Sequence, residues 1–279
     1  MKVGLVLEGG ALRTIFSTGV FDALLEKNVM ADYVVGVSAG IAYGVSYVSK
    51  QPRRNLEILT RFVNDRRYMG LNNLVDRHNR SYFGLEFSYC TIPNELVPFD
   101  YQTFEAFPGH VEAGVTNLET GQAEYKEVTT EDKHFRLLQA TCAMPLMFPV
   151  FHLDGKPYLD GGAADAVPYR RAFEQGCDRV VVILTRPKDY YRDPKKDQRM
   201  AKLLRKYPNA ARVLALRAET YNRQLEQAHA LAQAGKVLLV APDDIGGLAT
   251  LTKDRGAILT MYHKGRSDAK AIGAFLAGK

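Results

Sequence analysis

At 279 residues and 46% apolar content, the chain can bury a sizeable core, and its longest aliphatic run, Val180-Val-Val-Ile-Leu184, is far too short to span a bilayer. Its three cysteines, Cys90, Cys142 and Cys177, lie far apart with no C-x-x-C pair, so they read as reduced thiols and not as a disulfide framework or a zinc site. The formal net charge is +6, and nine Lys/Arg against three Asp between Arg186 and Lys206 carry an excess equal to that of the whole chain.

Residues 3–7 (V-G-L-V-L) predict a buried strand. Met1-Lys2 leads straight into it, without the long apolar stretch and small-residue cleavage site of a secretory signal, so the cytoplasm is the expected location. Over residues 11–26, Leu12, Ile15, Phe16, Val20 and Leu24 recur at helical spacing. Residues 33–37 predict a second short strand, and Ala39 onward a second helix. This β-turn-α-β-turn-α order is the mark of a parallel sheet covered by helices. Residues 52–63 suggest a further helix, and residues 66–108 are irregular and rich in aromatics.

Strands are expected at 111–116 and 123–128 around a turn at Glu119-Thr-Gly121, and at 148–153 and 157–159 around Asp154-Gly155. Residues 179–184 predict another buried strand, and residues 197–234 a helical stretch interrupted at Tyr207-Pro208. One more strand at 236–240 and two short helices complete the pattern. The late strand returns the C-terminal third to the same sheet. A single α/β domain over residues 1–279 is therefore expected, three layers deep, with a mostly parallel central sheet.

In a parallel sheet the loops after strand C-termini gather at one edge, where ligands bind. Glu8-Gly9-Gly10 and Gly36-Val-Ser38-Ala-Gly40 are two such loops, and consecutive parallel strands are usually neighbours. G-x-S-x-G between strand and helix fits a nucleophile elbow, in which small neighbours let a serine turn sharply. A turn or packing serine is the plainer alternative. The glycine pair before Ala11-Leu12-Arg13 lacks the spacing of a nucleotide phosphate loop. It can supply backbone N–H groups to an oxyanion, or simply cap a helix. No nucleic-acid partner is expected.

A Ser-His-Asp triad needs a histidine base. None of His78, His110, His134, His152, His229 and His263 sits in a small-residue loop after a convincing strand. Only one strand and one helix precede the strand that leads into Ser38, unlike the order in α/β-hydrolases. Asp160-Gly161-Gly162 offers a carboxylate at a strand end with room for close backbone approach, although a surface turn has the same composition.

Together, Leu7-Glu-Gly-Gly-Ala-Leu-Arg13, Gly36-Val-Ser-Ala-Gly40, Ala140-Thr-Cys-Ala-Met-Pro145 and Asp160-Gly-Gly162 resemble, in this order, the motifs of the patatin-like phospholipase family, notably its bacterial single-domain members. The resemblance covers residues 3–187 well and the remainder loosely. It implies a patatin-like fold and a lipid ester substrate, with a Ser-Asp dyad in which Ser38 is the nucleophile and Asp160 the base. It also implies oxyanion donors from Gly9, Gly10 and Ala11, a loop braced by Arg13, and no metal or other cofactor. Two positions depart from the family: Ala11 stands where a third glycine is usual, and Thr14 where a glycine follows the arginine. A left-handed Ala11 would be strained, whereas a helical one would not.

The resulting expectation is a lipid acyl hydrolase of phospholipase A or lysophospholipase type, working through an acyl-enzyme. An acyltransferase using the same dyad, or a membrane-binding regulatory protein with weak esterase activity, are the rivals. Residues 81–107 (Tyr82, Phe83, Leu85, Phe87, Ile92, Leu96, Phe99, Phe104) could line an acyl site or form ordinary core. The basic segment between Arg186 and Lys206, with Tyr190, Tyr191 and Tyr207 beside it, suggests peripheral contact with anionic membrane; a solvated charged face is the alternative. Oligomeric state, head-group preference and chain length leave no signature in the sequence.

Overall fold

The computed structural model describes residues 1–131, 133–249 and 251–277. Among these residues eight strands form one mixed sheet: β1 (Val3–Leu7), β2 (Tyr33–Val37), β3 (His110–Asn117), β4 (Ala123–Glu127), β5 (Phe151–Leu153), β6 (Lys156–Asp160), β7 (Arg179–Ile183) and β8 (Val237–Val240). Neighbours β3-β2-β1-β7-β8 are all parallel. β1, β2 and β7 are Val- and Leu-rich without polar alternation, as strands covered on both faces require. Every residue of β2 is buried.

Two cores result, one on each face of the sheet. Leu5, Leu7 and Val34 pack with the helices Ile15–Glu26, Ala39–Val48 and Arg255–Asp268. Val6, Val35 and Val182 pack with the helices Tyr169–Glu174 and Pro208–Gln233. The C-terminal part is bound into this arrangement twice. β8 pairs with β7, and Tyr262 donates a buried hydrogen bond (2.7 Å) to Asp22 of the first helix. No helix among the described residues is long and apolar enough to cross a membrane.

The placement of β6 matters most for function. β4, β5 and β6 join antiparallel. His110 N donates to Asp32 O and Leu118 N to Pro157 O, whereas Asn117 N donates to Gln122 O. Alternate residues of a strand direct their backbone groups to opposite edges. The even-numbered edge of β3 therefore carries β2 first and β6 beyond it, while β4 takes the odd-numbered edge. Val37 pairs with Gly114, and Asp160 with the next residue, Val115. The C-terminal ends of β2 and β6 thus meet head to head. Glycine is required at the junction, because a Cβ on Gly161 would fall 2.0 Å from Gly114 O.

The main strands and long helices follow the hydrophobic pattern. Three details differ. The chain from Ala11 begins with a 3-10 turn, Ala11–Thr14, before the α-helix starts at Ile15. The strand expected from residue 148 begins only at Phe151, because Met147 and Phe148 turn back onto Met144 through backbone hydrogen bonds. Residues 87–96 form a π-helix that contains Pro93, and the short helices Arg136–Thr141 and Tyr169–Glu174 carry too few turns to show a period.

Asp22 is 2% exposed and accepts from Arg53 N as well as from Tyr262. Removing one partner of a buried carboxylate costs about 1–3 kcal/mol. Tyr262→Phe should lower stability by that amount in denaturant melts. If residues 1–279 unfold as one cooperative unit, the loss shifts one whole transition; a separate early transition would divide the chain instead.

Candidate active site

Ser38 sits between β2 and the helix Ala39–Val48, with φ 54° and ψ −140°. This is a costly conformation for a residue with a Cβ. The surroundings hold it there. Ser38 N donates to Thr141 Oγ1 (2.9 Å), and Thr141 Oγ1 donates to Gly114 O (2.5 Å). Thr141, fully buried, thereby fills the gap left on the β3 edge between the end of β2 and the end of β6. From the other side the loop after β1 presses on the serine: a Cβ on Gly9 would lie 2.6 Å from Ser38 Cβ. The helix that follows points its N-terminus, the positive end of its dipole, at the same spot.

Asp160 ends β6 and is buried. Its Oδ1 accepts from Gly162 N (2.8 Å), and its backbone N donates to Ala143 O (3.1 Å). Burial raises its pKa above the ordinary carboxylate value. The charge of Arg217, the Ser38 hydroxyl, the Gly162 N–H and the charge of Arg192 act in the opposite direction without cancelling it. Ser38 and Asp160 line the same cavity without a hydrogen bond of ordinary length and angle between them; such contacts often tighten only with substrate bound. Cys142 lies beside both groups. Burial pushes its thiol up to about 12; the hydroxyls of Tyr89 and Ser38 ease the rise and the Asp160 charge adds to it.

The loop carrying Gly9, Gly10, Ala11 and Arg13 is tied to the end of β7. Glu8 accepts from Thr185 N (2.5 Å) and Thr185 Oγ1 (3.0 Å), and Thr185 Oγ1 also reaches Gly9 O (3.2 Å). The N–H groups of Gly9 and Gly10 have no acceptor among the described residues. Ala11 has φ 48°, so it occupies the left-handed region that a glycine would take without strain. Arg13 is buried, and its guanidinium is lowered to about 10 by that burial and by the charge of Arg186.

Two cavities meet at Ser38, Ala11 and Met144. One, of about 300 Å³, is walled by apolar and aromatic side chains including Leu12, Ile58, Phe83, Phe99, Leu138 and Phe148. The other, of about 400 Å³, contains Asp160 and is walled by charged side chains of residues 186–221 together with the loop after β1.

The fold thus brings Ser38, Asp160, Gly9, Gly10, Ala11 and Arg13 to one place. None of the six histidines lines either cavity. Of the aromatic segment, Phe83 and Phe99 face the apolar cavity, while Phe87, Ile92 and Phe104 belong to the core. Sequence reasoning missed the structural work of Thr141 and Ala143, which buttress Ser38 and Asp160 in turn. It also missed Tyr43, Tyr68 and Tyr89 in the apolar cavity. Their only signal was the A-T-C-A-M-P run and an aromatic excess.

Thr141→Val keeps the side-chain shape but leaves Ser38 N–H and Gly114 C=O unpaired. Denaturant melts should show a loss of about 1–3 kcal/mol, with slower reaction of Ser38 toward an organophosphorus probe. An unchanged melt and probe rate would show that the elbow holds itself.

Residues 5–173 match the family model described as patatin-like phospholipase, and residues 207–274 match a domain of unknown function (DUF6363). The chain is 25% identical over 220 residues to the uncharacterized protein YjjU of Escherichia coli K12, covering 73% of this chain and 57% of that one. It is also 25% identical over 191 residues to lysophospholipase nte1 of Aspergillus niger, covering 65% of this chain but 12% of the relative. The chain therefore spans about half of YjjU and a small part of nte1. The solved structure of VipD from Legionella pneumophila aligns with a TM-score of 0.48 at 14% identity, over 97% of this chain and 66% of that one. With the family model spanning more than half of its length, the chain belongs to the patatin-like phospholipase family.

Proposed function

We propose that this protein is a lipid acyl hydrolase of phospholipase A or lysophospholipase type, cleaving a carboxylic ester with a Ser38–Asp160 dyad. The observation that carries this reading is the junction itself: a serine elbow and a buried carboxylate at the facing ends of two strands, opening onto an apolar cavity. Ser38 Oγ attacks the acyl carbonyl while its proton passes to Asp160. The oxyanion lies against the N–H groups of Gly9, Gly10 and Ala11, helped by the helix N-terminus. Collapse breaks the ester C–O bond, and the leaving alkoxide takes the proton from Asp160. Water then attacks the acyl-enzyme with Asp160 again as base, releasing the fatty acid and restoring the serine. The apolar cavity, at the lower end of the size range of small-molecule sites, suits one acyl chain.

A carboxylate near pKa 3.9 is a weak base. Desolvation makes Asp160 a stronger one, and the cost appears in stability. Because its folded pKa is raised, folding favours the protonated form. That contribution is full below the unfolded pKa and is lost as pH rises through the folded value. Ser38→Ala should abolish ester hydrolysis and labelling by a fluorophosphonate probe with the fold intact. Asp160→Asn should be nearly as inactive, yet gain melting temperature relative to wild type as pH rises from 4 to 8. The wild-type rate should climb over a pH limb displaced above the ordinary carboxylate range. Labelling that persists at another serine, or a single histidine variant as inactive as Ser38→Ala, would remove the dyad.

The basic segment fits a peripheral membrane contact. Lys195, Arg199, Lys202, Arg205 and Lys206 are exposed, with Tyr191 and Leu203 exposed among them. Each cation near an anionic bilayer contributes about 1 kcal/mol, an attraction that fades within a Debye length. Sedimentation with vesicles should rise with phosphatidylserine content, fall with salt, and weaken in the Lys195→Gln/Arg199→Gln/Lys202→Gln variant. Unchanged sedimentation at low salt would leave the segment as a solvated face.

A further inference from the structure

The second cavity has a charge arrangement that ester cleavage does not require. Arg13, Arg186, Arg192, Lys196 and Arg217 line it, together with four carboxylates. Those carboxylates are already engaged. Glu8 is held by Thr185, and Asp160 is the proposed base. Asp193 accepts from Lys195 N (2.9 Å) at the start of the helix Pro194–Ala201. Asp197, fully buried, takes two hydrogen bonds from Arg192 (2.7 and 2.8 Å) and stands 3.8 Å from Arg217. Arg186 and Lys196 have no carboxylate partner among the described residues.

Arg186 is also oriented. Its guanidinium carbon stands 4.1 Å from the centre of the Tyr190 ring, which in turn meets Tyr221 edge to face. A guanidinium stacked on a ring keeps its N–H edge available for an oxyanion. The same group repels its neighbour, since Arg186 helps hold Arg13 below the ordinary arginine range.

Position supplies the rest. The cavity joins the apolar one at Ser38. With an acyl chain in the apolar cavity and its ester at Ser38, the alcohol part of the substrate must lie on the charged side. We propose that this second cavity is the binding subsite for a phosphate carried by the substrate's head group, with Arg186 and Lys196 as the contacting cations and the Arg192–Asp197–Arg217 cluster as the fixed wall behind them. The proposal rests on the ester-hydrolase reading and extends it to the side of the scissile bond that the apolar cavity leaves open. It also divides the basic segment by role: Arg186, Arg192 and Lys196 line the site, with Lys196 at its exposed rim, while Lys195, Arg199 and Lys202 are exposed outside it.

The test compares 1-hexanoyl-glycerol 3-phosphate with 1-hexanoyl-glycerol, both used below their aggregation limits so that membrane charge plays no part. Wild type should prefer the phosphate ester by about tenfold or more in kcat/KM, mostly through KM. In the Arg186→Gln/Lys196→Gln variant the preference should fall to about threefold or less, and Arg186→Lys should keep more of it than Arg186→Gln. Glycerol 3-phosphate should compete with the phosphate ester in wild type and lose that ability in the double variant. A wild-type ratio near one overturns the proposal, as does a ratio that survives the double substitution. Inorganic phosphate binding as well as glycerol 3-phosphate, without any substrate preference, would assign the cations to a free anion and overturn the head-group subsite. Fluorophosphonate labelling of Ser38 on the same preparations separates the two levels. Labelled protein that cleaves both esters equally removes the subsite alone. Protein that neither labels nor cleaves either ester removes the hydrolase reading and the subsite with it.

Discussion

Everything at the site depends on one strand edge shared by two partners. β3 offers β2 the first part of its even-numbered edge and β6 the last, and the change of partner falls between Gly114 and Val115. Ser38 leaves one strand at that point and Asp160 ends the other. The gap in the ladder exposes Gly114 O, and Thr141 uses that carbonyl to anchor the serine. A break in sheet pairing, ordinarily a defect, here is what lets a hydroxyl and a carboxyl approach across a distance of 122 residues in the chain. Burial of the break then raises the carboxyl's affinity for a proton.

Around that junction the molecule separates its polarity. The irregular segment before β3 and the turn around Met144 wall an apolar cavity, and the segment after β7 walls a charged one. An amphiphile has the same division, with its ester between the two halves. Ser38 stands at the boundary, so on the proposed reading the cavities would orient the bond as well as hold the molecule. The strain at Ser38 and Ala11 belongs to this boundary too. Both positive-φ residues face the place where the loops after β1 and β2 come together, and packing of glycine against serine and of Thr185 against Glu8 keeps them there.

Much of this was legible in the sequence because the signals were local. β1, β2 and β7 are short runs of branched residues, the first two with glycines where they end, and a strand followed by G-x-S-x-G has few structural solutions. Ser38, Asp160 and the glycine loop could be named before any coordinates. The rest was not legible, for physical reasons. That β6 continues the β2 edge is a fact of long-range register, which no local pattern encodes. Thr141 and Ala143 act through a hydroxyl and a carbonyl whose partners lie far away in sequence. The aromatic segment divided between cavity wall and core because a π-helix has no simple hydrophobic period to reveal its faces. The basic segment looked uniform as a charge count. Only in three dimensions do some of its cations turn toward the serine and others toward solvent.

The shared edge separates two kinds of change. Spacing between the serine and the carboxylate is set by main-chain hydrogen bonds to β3 and by the Thr141 hydroxyl that ties Ser38 N to Gly114 O. Residues 63–109, which supply much of the apolar wall, lie outside that ladder. Substitutions or insertions in that segment can therefore reshape the room available to an acyl chain while the reacting groups stay in register. On the ester-hydrolase reading proposed above, chain-length preference and chemical competence are separable on this scaffold, and one can drift or be engineered without retuning the other.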